Sequence, residues 1–342
     1  MIKFQQNDVS LESQWRAIIL FGKNTATYKF AFAKSLLEII EKEKTRISLT
    51  DLSVPFANNI IEHLKISDKQ GSSASSSFLD ACRSHLSGDI SIQKVYEITE
   101  KIGFKDVVDA FQNVNGDIIP SIFYEKDYQR GKKEIIITDN LLELKNSFHM
   151  KNFEQEVEAR WNLVETAWNL KINPNTLEVK YDEESSLFFI EKSDFMRRKD
   201  ITSVRDALNG YQKGKCFYSF QDISIVKNDP KVCQVDHFLP HINKRVHTQN
   251  GTNINGVWNL VLAHPDVNGE KGARIPESKY LDRLNNRNEF YIESKHPLAE
   301  TIINQTGQTP DKRRRFLEEQ YKLALEHSIH KWEPKNELIG NF

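Results

Sequence analysis

Over the first 170 residues, apolar positions recur mostly at helical spacing. Trp15, Ile18, Ile19 and Phe21 share roughly one face of a segment that Ser10 can cap. Tyr28, Phe32, Leu36 and Ile40 repeat every four residues behind Thr25, which is placed to cap a second helix. A third helix is expected from Thr50 or Ser53, carrying Ile60, Ile61 and Leu64. Shorter helical patterns follow over 78–86, 92–102 and 105–111. The stretch 70–77, Gln-Gly-Ser-Ser-Ala-Ser-Ser-Ser, reads as a flexible loop, and 116–133 as a connector. Glu134-Ile135-Ile136-Ile137-Thr138 fits a short strand or the lead-in to 140–145. An amphipathic helix is expected over 152–169, with Val157, Trp161, Val164 and Trp168 on its apolar side.

The pattern then changes period. Short apolar or alternating runs at 177–181 and 187–190 flank Asp182-Glu183-Glu184-Ser185-Ser186, which predicts a hairpin. A helix is expected over 201–211, capped by Asp200 or Thr202, with Gly214 past its end. Strand candidates at 231–235 and 257–262 precede a short helix at 265–273. Thr309-Pro310-Asp311 supplies a capping hydroxyl, a first-turn proline and an acid facing the positive helix end. It opens a last helix to about Lys331. The chain therefore reads as α+β: a helical region over 1–125, a mixed connector of helix and hairpin over 126–195, and a mixed domain over 196–335 closed by a C-terminal helix.

Composition narrows the function classes. The chain has 342 residues, 39% hydrophobic and 28% charged, which suits a globular protein rather than a disordered or fibrous one. No apolar run approaches the roughly 20 residues of a membrane helix, so no membrane partner is expected. The start, Met1-Ile2-Lys3-Phe4-Gln5-Gln6-Asn7, lacks an apolar export core. Three scattered cysteines, Cys82, Cys216 and Cys233, argue against a disulfide framework and for a reducing, cytoplasmic setting. The net charge of -1 does not fit a protein that coats nucleic acid non-specifically. From Asp194 to Glu300 there are 16 Lys/Arg against 13 Asp/Glu, a mild local excess that permits phosphate binding.

The richest chemistry lies in that stretch. Val235-Asp236-His237 ends the first strand candidate, and Asn259 follows His237 by 22 residues. Asn268 lies nine after Asn259, and Lys271 three after Asn268. Strand, loop, strand, helix is a ββα unit. With the helix laid across the hairpin, Asp236, His237 and Asn268 can share one site.

These residues resemble the HNH endonucleases, the ββα-metal or His-Me finger nucleases, over about 211–298. The Asn259–Asn268–Lys271 spacing is similar to the HNH domain of RNA-guided DNA-cutting effectors. The flanks Tyr211-Gln212-Lys213-Gly214-Lys215-Cys216 and Arg287-Asn288-Glu289 look like the family too. The resemblance implies that Asp236 and Asn268 bind one Mg²⁺ or Mn²⁺ ion, which suits their hard oxygens. It implies His237 as general base, with an ordinary pKa of about 6.5 well matched to neutral pH. Asn259 would hold the loop and fix the His237 ring. Lys271 would contact phosphate, with Arg274 and Arg283 as further nucleic-acid contacts.

Several features have two readings. His241 and His264 are either further metal ligands or solvent-facing, hydrogen-bonded histidines; His264 is the runner-up for the second metal position. The polar loop 247–256 is either a surface connection or a DNA contact. The same choice applies to the basic clusters Arg197-Arg198-Lys199 and Lys312-Arg313-Arg314-Arg315. Many relatives hold a structural zinc with two Cys-x-x-Cys pairs. Here the first reads Cys216-Phe217-Tyr218-Ser219 and no second exists, so no structural zinc is expected and Cys216 and Cys233 read as buried apolar residues. The expected activity is metal-dependent hydrolysis of DNA, in restriction or anti-phage defence, with targeting supplied either by the N-terminal half or by a partner protein that targets or activates the enzyme. The alternatives are an RNA-cleaving HNH nuclease and an assembly protein that uses the fold as scaffold.

Overall fold

The computed structural model describes residues 8–21, 26–42, 44–73, 76–129, 131–169, 179–192, 197–294, 296–328 and 330–342, with the side chains of 191–199 left out. The chain divides into two units, Met1–Ile172 and Asn173–Phe342.

Unit one begins with α1 (Leu11–Phe21), α2 (Tyr28–Ile40), the short β1 (Arg46–Ser48) and α3 (Leu49–Ile66). The Ser10 hydroxyl accepts from the Ser13 amide at 3.2 Å, so α1 starts where the pattern placed it. The expected cap Thr25 lies outside the described residues. Thr27 precedes α2 instead, and its hydroxyl bonds Gln70 Oε1 at 2.9 Å rather than capping the helix. Ser48 accepts from the Asp51 amide at 3.0 Å, which starts α3 before Thr50 and Ser53.

Helices α4 (Ser77–Leu86), α5 (Ile92–Ile98) and α6 (Val107–Ala110) follow, then the two-residue strands β2 (Asn113–Val114) and β3 (Asp117–Ile118). Strands β4 (Tyr124–Asp127) and β5 (Glu134–Ile137) come next, then α7 (Asp139–Lys145) and α8 (Met150–Asn169). The stretch 116–133 is thus more than a connector. Strand β5 takes β1 on one side and β4 on the other, both antiparallel. It buries Ile135 and Ile137 beside Phe123 and Tyr124. Helix α8 packs on α1 and α2, so much of the stretch 126–195 belongs to this unit rather than to a connector. Trp15, Phe30, Phe32, Phe56 and Trp161 form its fully buried aromatic core.

Unit two opens with the antiparallel sheet β6 (Lys180–Asp182), β7 (Leu187–Lys192) and β8 (Arg197–Ser203). Helix α9 (Val204–Gln212) starts only after Ser203, because Thr202 and Ser203 still pair with β7. Asp200 and Thr202 are therefore strand residues rather than caps. The unit continues with β9 (Gln234–His237), α10 (Lys244–Gln249), β10 (Leu260–Ala263), α11 (Pro265–Lys271) and β11 (Ile275–Pro276). Helices α12 (Ser278–Glu293), α13 (Ala299–Thr306) and α14 (Pro310–Glu326) and strand β12 (Lys331–Trp332) complete it.

Thr309 caps α14 by accepting from the Lys312 amide at 3.3 Å. The helix stops at Glu326, because Lys331 and Trp332 turn to pair parallel with Ile275 and Pro276. The architecture mixes helix and sheet, as an α+β chain should. Among the described residues no helix is long and apolar enough to cross a membrane.

Candidate active site

The site grows from a two-stranded ladder. Strands β9 and β10 run antiparallel with Leu260 opposite His237, Val261 opposite Asp236 and Leu262 opposite Val235. The second expected strand is shorter than 257–262, because Val257–Asn259 forms a 3₁₀ turn that leads into it. All four residues of β10 are buried. Arg287 anchors this entry from α12: its guanidinium donates to the carbonyls of Leu260 at 2.8 Å and Trp258 at 2.9 Å. Gln212, at the end of α9, bonds both the amide and the carbonyl of Leu262 at 2.8 Å.

Helix α11 lies along β9. Gln234 and Asp236 point to one face of the strand, since alternate residues do. Asn268 Nδ2 donates to Gln234 Oε1 at 2.7 Å, and Lys271 Nζ reaches Asp236. Three helical residues advance about 4.5 Å, against about 6.7 Å for two strand residues. The long lysine side chain covers the difference. Gly272 ends the helix at φ 52°, a left-handed conformation that disfavours a side chain.

The carboxylate is tightly held. Asp236 Oδ2 accepts from the Tyr218 hydroxyl at 2.6 Å and lies 3.0 Å from Lys271 Nζ; Oδ1 accepts from the same ammonium at 3.1 Å. Lys271 is fully buried and also donates to the His237 carbonyl at 2.8 Å. The expected phosphate contact would require this buried ammonium to leave its carboxylate.

His237 is 8% exposed, and its Nε2 bonds Asn255 Oδ1 at 2.9 Å. An amide oxygen only accepts, so Nε2 carries the proton and Nδ1 keeps its lone pair. Burial pushes the imidazole pKa down, against the charge of Asp236 and the Asn255 bond that raise it. The ring of His241 lies 5.2 Å away, and His241 Nε2 is 3.2 Å from Glu183 Oε2.

Asn259 is fully buried and braces the loop after His237. It accepts from the Leu239 amide at 2.8 Å and donates to the carbonyls of Leu239 at 3.1 Å and Ile254 at 2.9 Å. Its expected hold on the His237 ring belongs instead to Asn255. His264 caps α11, with Nδ1 accepting from the Asp266 amide at 3.3 Å, which gives it a structural task in place of a ligand role.

Arg274 turns back onto carbonyls at the end of α11. Arg283 donates to the carbonyls of Phe217 at 2.6 Å and Tyr218 at 3.2 Å and pairs with Glu337 at 2.6 Å. Both are engaged as braces rather than as open phosphate contacts. Of the late basic cluster, Arg313 is bound to Glu289, and Arg314 to Asp282 and Glu318. The side chains of Arg197, Arg198 and Lys199 lie outside the described residues. Cys216 and Cys233 are buried free thiols, and burial pushes that of Cys233 up to about 12.

Among the described residues no three His, Cys, Asp or Glu side chains converge to hold a metal ion. The oxygen donors at hand are the Asp236 carboxylate and the Asn268 amide. One carboxylate and one amide suit a hard ion that keeps several waters and takes further oxygens from substrate phosphate. Those donor types are the ones Mg²⁺ or Mn²⁺ takes, while here both Asp236 oxygens accept from Lys271 or Tyr218 and the Asn268 amide is turned toward Gln234.

Tyr218, Asn255 and Gln234 were missed by sequence reasoning. Asn255 had a signal, a side-chain amide four residues before Asn259 in a polar loop. Tyr218 lies inside the incomplete Cys-x-x-Cys pair, and nothing local marks its hydroxyl as a partner of Asp236. No family model, curated protein or solved structure matches the chain. The likeness to HNH nucleases thus rests on these residues themselves.

Proposed function

We propose that unit two hydrolyses DNA phosphodiester bonds with one Mg²⁺ or Mn²⁺ ion held by Asp236 and Asn268. One observation carries this reading: a buried imidazole, held by Asn255, stands beside a buried carboxylate on a strand against which a short helix packs. His237 Nδ1 takes the proton of the attacking water, and Asn255 holds the ring that receives it. The ion supplies Lewis-acid stabilisation of phosphate and leaving oxygens when bound. Lys271 and Tyr218 set the angle of the Asp236 carboxylate.

A polyanion has a surface to meet. None of the 29 residues from His237 to Pro265 is acidic, in a chain with 48 acids among 342 residues. Lys244 and Arg245 are exposed there, make no ion pair among the described residues, and follow His241, the ring neighbour of His237. They stand as the open phosphate contacts, since Lys271, Arg274 and Arg283 are engaged within the fold. Incubation of the purified protein with plasmid and Mg²⁺ or Mn²⁺, beside His237→Ala, tests the proposal. Loss of a general base should slow cleavage about 10²- to 10⁴-fold. Equal cleavage by both proteins would overturn it, and competition between labelled DNA and RNA decides the substrate.

A second reading is favoured by Lys271 itself. A buried ammonium seated on Asp236 is also what a scaffold without catalysis would keep. If Mn²⁺ titrated into the protein leaves Asp236→Asn and wild type indistinguishable, and no cleavage occurs with any partner, the scaffold reading holds.

A further inference from the structure

The acid-free stretch that begins at His237 receives acid from another part of unit two. Between β6 and β7 the sequence reads Asp182-Glu183-Glu184-Ser185-Ser186. Asp182 and Leu187 face each other in the ladder, so residues 183–186 form the loop of a hairpin. Asp182 Oδ1 accepts from the amides of Glu184 at 3.0 Å and Ser185 at 3.4 Å, and Ser186 turns the chain at φ 54°. Such a side-chain-to-backbone turn fixes the tip, with both glutamates on it. Glu183 and Glu184 are exposed.

The tip lies against the neighbour of the candidate base. Glu183 Oε2 is 3.2 Å from His241 Nε2, an ion-pair distance, although off the line of a hydrogen bond. The Tyr181 ring, on the β6 strand just before the tip, is 6.1 Å from that of His237, and the rings of His237 and His241 are 5.2 Å apart. Burial lowers the His237 pKa most, while Asp236, the Asn255 bond and the Glu183 charge raise it. The Glu183 carboxylate is therefore within electrostatic reach of the ring that would work beside phosphate. Glu184 makes no ion pair among the described residues.

Two opposite fields meet here. Lys244 and Arg245 follow His241 by three and four residues and draw a polyanion toward this turn. Glu183 and Glu184 repel it.

We propose, resting on the nuclease reading, that the hairpin tip 182–186 is a built-in competitor for DNA phosphate. The Glu183 carboxylate holds the anion's place on His241 until DNA, or a partner that draws the tip away, displaces it. An exposed ion pair biases an equilibrium by about fivefold at most. The device is thus a graded brake that salt weakens, rather than a lock.

Binding of a labelled DNA duplex and a labelled single strand is measured in a His237→Ala background, without divalent ion, at about 0.05 M and about 0.5 M salt. The parent is compared with Glu183→Gln plus Glu184→Gln, and with Glu183→Lys. A third variant, Glu41→Gln plus Glu125→Gln, removes two exposed acids of unit one and changes net charge equally. Removing the two tip carboxylates should tighten binding about 5- to 25-fold at the lower salt and much less at the higher. Glu183→Lys should tighten it as well, and the unit-one variant should stay within about twofold of the parent. A gain in affinity cannot come from a misfolded variant. Unchanged or weaker binding in both tip variants would overturn the proposal. An equal gain in the unit-one variant would also overturn it, by making net charge the cause. Absence of DNA binding by the parent and every variant would instead sink the nuclease reading, and this inference with it.

Discussion

Lys271 Nζ and the Asp236 carboxylate form a buried ion pair at 3.0 Å, with the ammonium also bonded to the carbonyl of His237. The pair joins α11 to β9 directly beneath the candidate base. Removing one partner of a buried pair strands the other charge, which typically costs about 3–5 kcal/mol. Lys271→Met should therefore lower the urea stability of unit two by that order. The measurement separates two roles. A variant with near wild-type stability but weak DNA binding would return Lys271 to the phosphate.

Asn255 acts through His237. By accepting from Nε2 at 2.9 Å it fixes the tautomer that leaves Nδ1 free. Asn255→Ala should cut single-turnover cleavage by about 10- to 100-fold, as loss of comparable orienting partners does. Stability should change little, since Asn255 is only half-buried. An Asn255→Asp variant keeps the acceptor and should recover much of the rate. Full activity in Asn255→Ala would remove the positioning role.

How much of this was legible follows from which residues carry local signals. Ser10 and Thr309 cap their helices as expected, because a hydroxyl before a periodic apolar run is a local rule. Spacing singles out Asp236, His237 and Asn259; the ladder holds the first two on β9, and Asn259 sits in the turn that leads into β10. What was hidden depends on partners far along the chain. The stretch 116–133 reads as a connector because β4 exposes Glu125 and Lys126 and buries Tyr124 only once β5 is beside it. The ion pair of Lys271 with Asp236, 35 residues earlier, leaves no local signal in the sequence. Tyr218 and Arg283 were out of reach for the same reason.

The cations that remain open make a separate prediction. Lys244 and Arg245 are exposed and unpaired among the described residues, next to the His241 turn. Each phosphate contact adds about 0.9 to the slope of log affinity against log salt on duplex DNA. Lys244→Ala with Arg245→Ala should therefore lower that slope by about 1.8. The comparison is made in a His237→Ala background, where DNA is bound without being cut. An unchanged slope beside intact binding would move the contact surface elsewhere, while absence of any binding would count against the nuclease reading itself.

Unit one should show its own dependence on pH. His63 lies flat on Trp161 at 3.4 Å between two carboxylates, with Nδ1 3.0 Å from Glu165 Oε2 and Nε2 3.2 Å from Glu158 Oε1. Burial works against the imidazolium, but the two carboxylates outweigh it and raise the His63 pKa above 6.5. Glu158 is pushed up by burial and pulled down further by His63 and Lys34, to about 2 from 4.5. The signs then follow. Above pH 6.5 the folded chain holds a proton that the unfolded chain has released, so the His63 contribution is full below 6.5 and fades as pH rises through the folded value. Below pH 4.5 the unfolded chain takes up the Glu158 proton first, so that contribution is full above 4.5 and fades toward 2. The cluster should stabilise unit one most between about 4.5 and 6.5, as read from tryptophan fluorescence on unfolding at a series of pH values. His63→Gln should flatten the upper limb and leave other histidines unaffected. Titration of the His63 ring below 6.5 by NMR would sink the argument, because the carboxylates would then not be holding its proton.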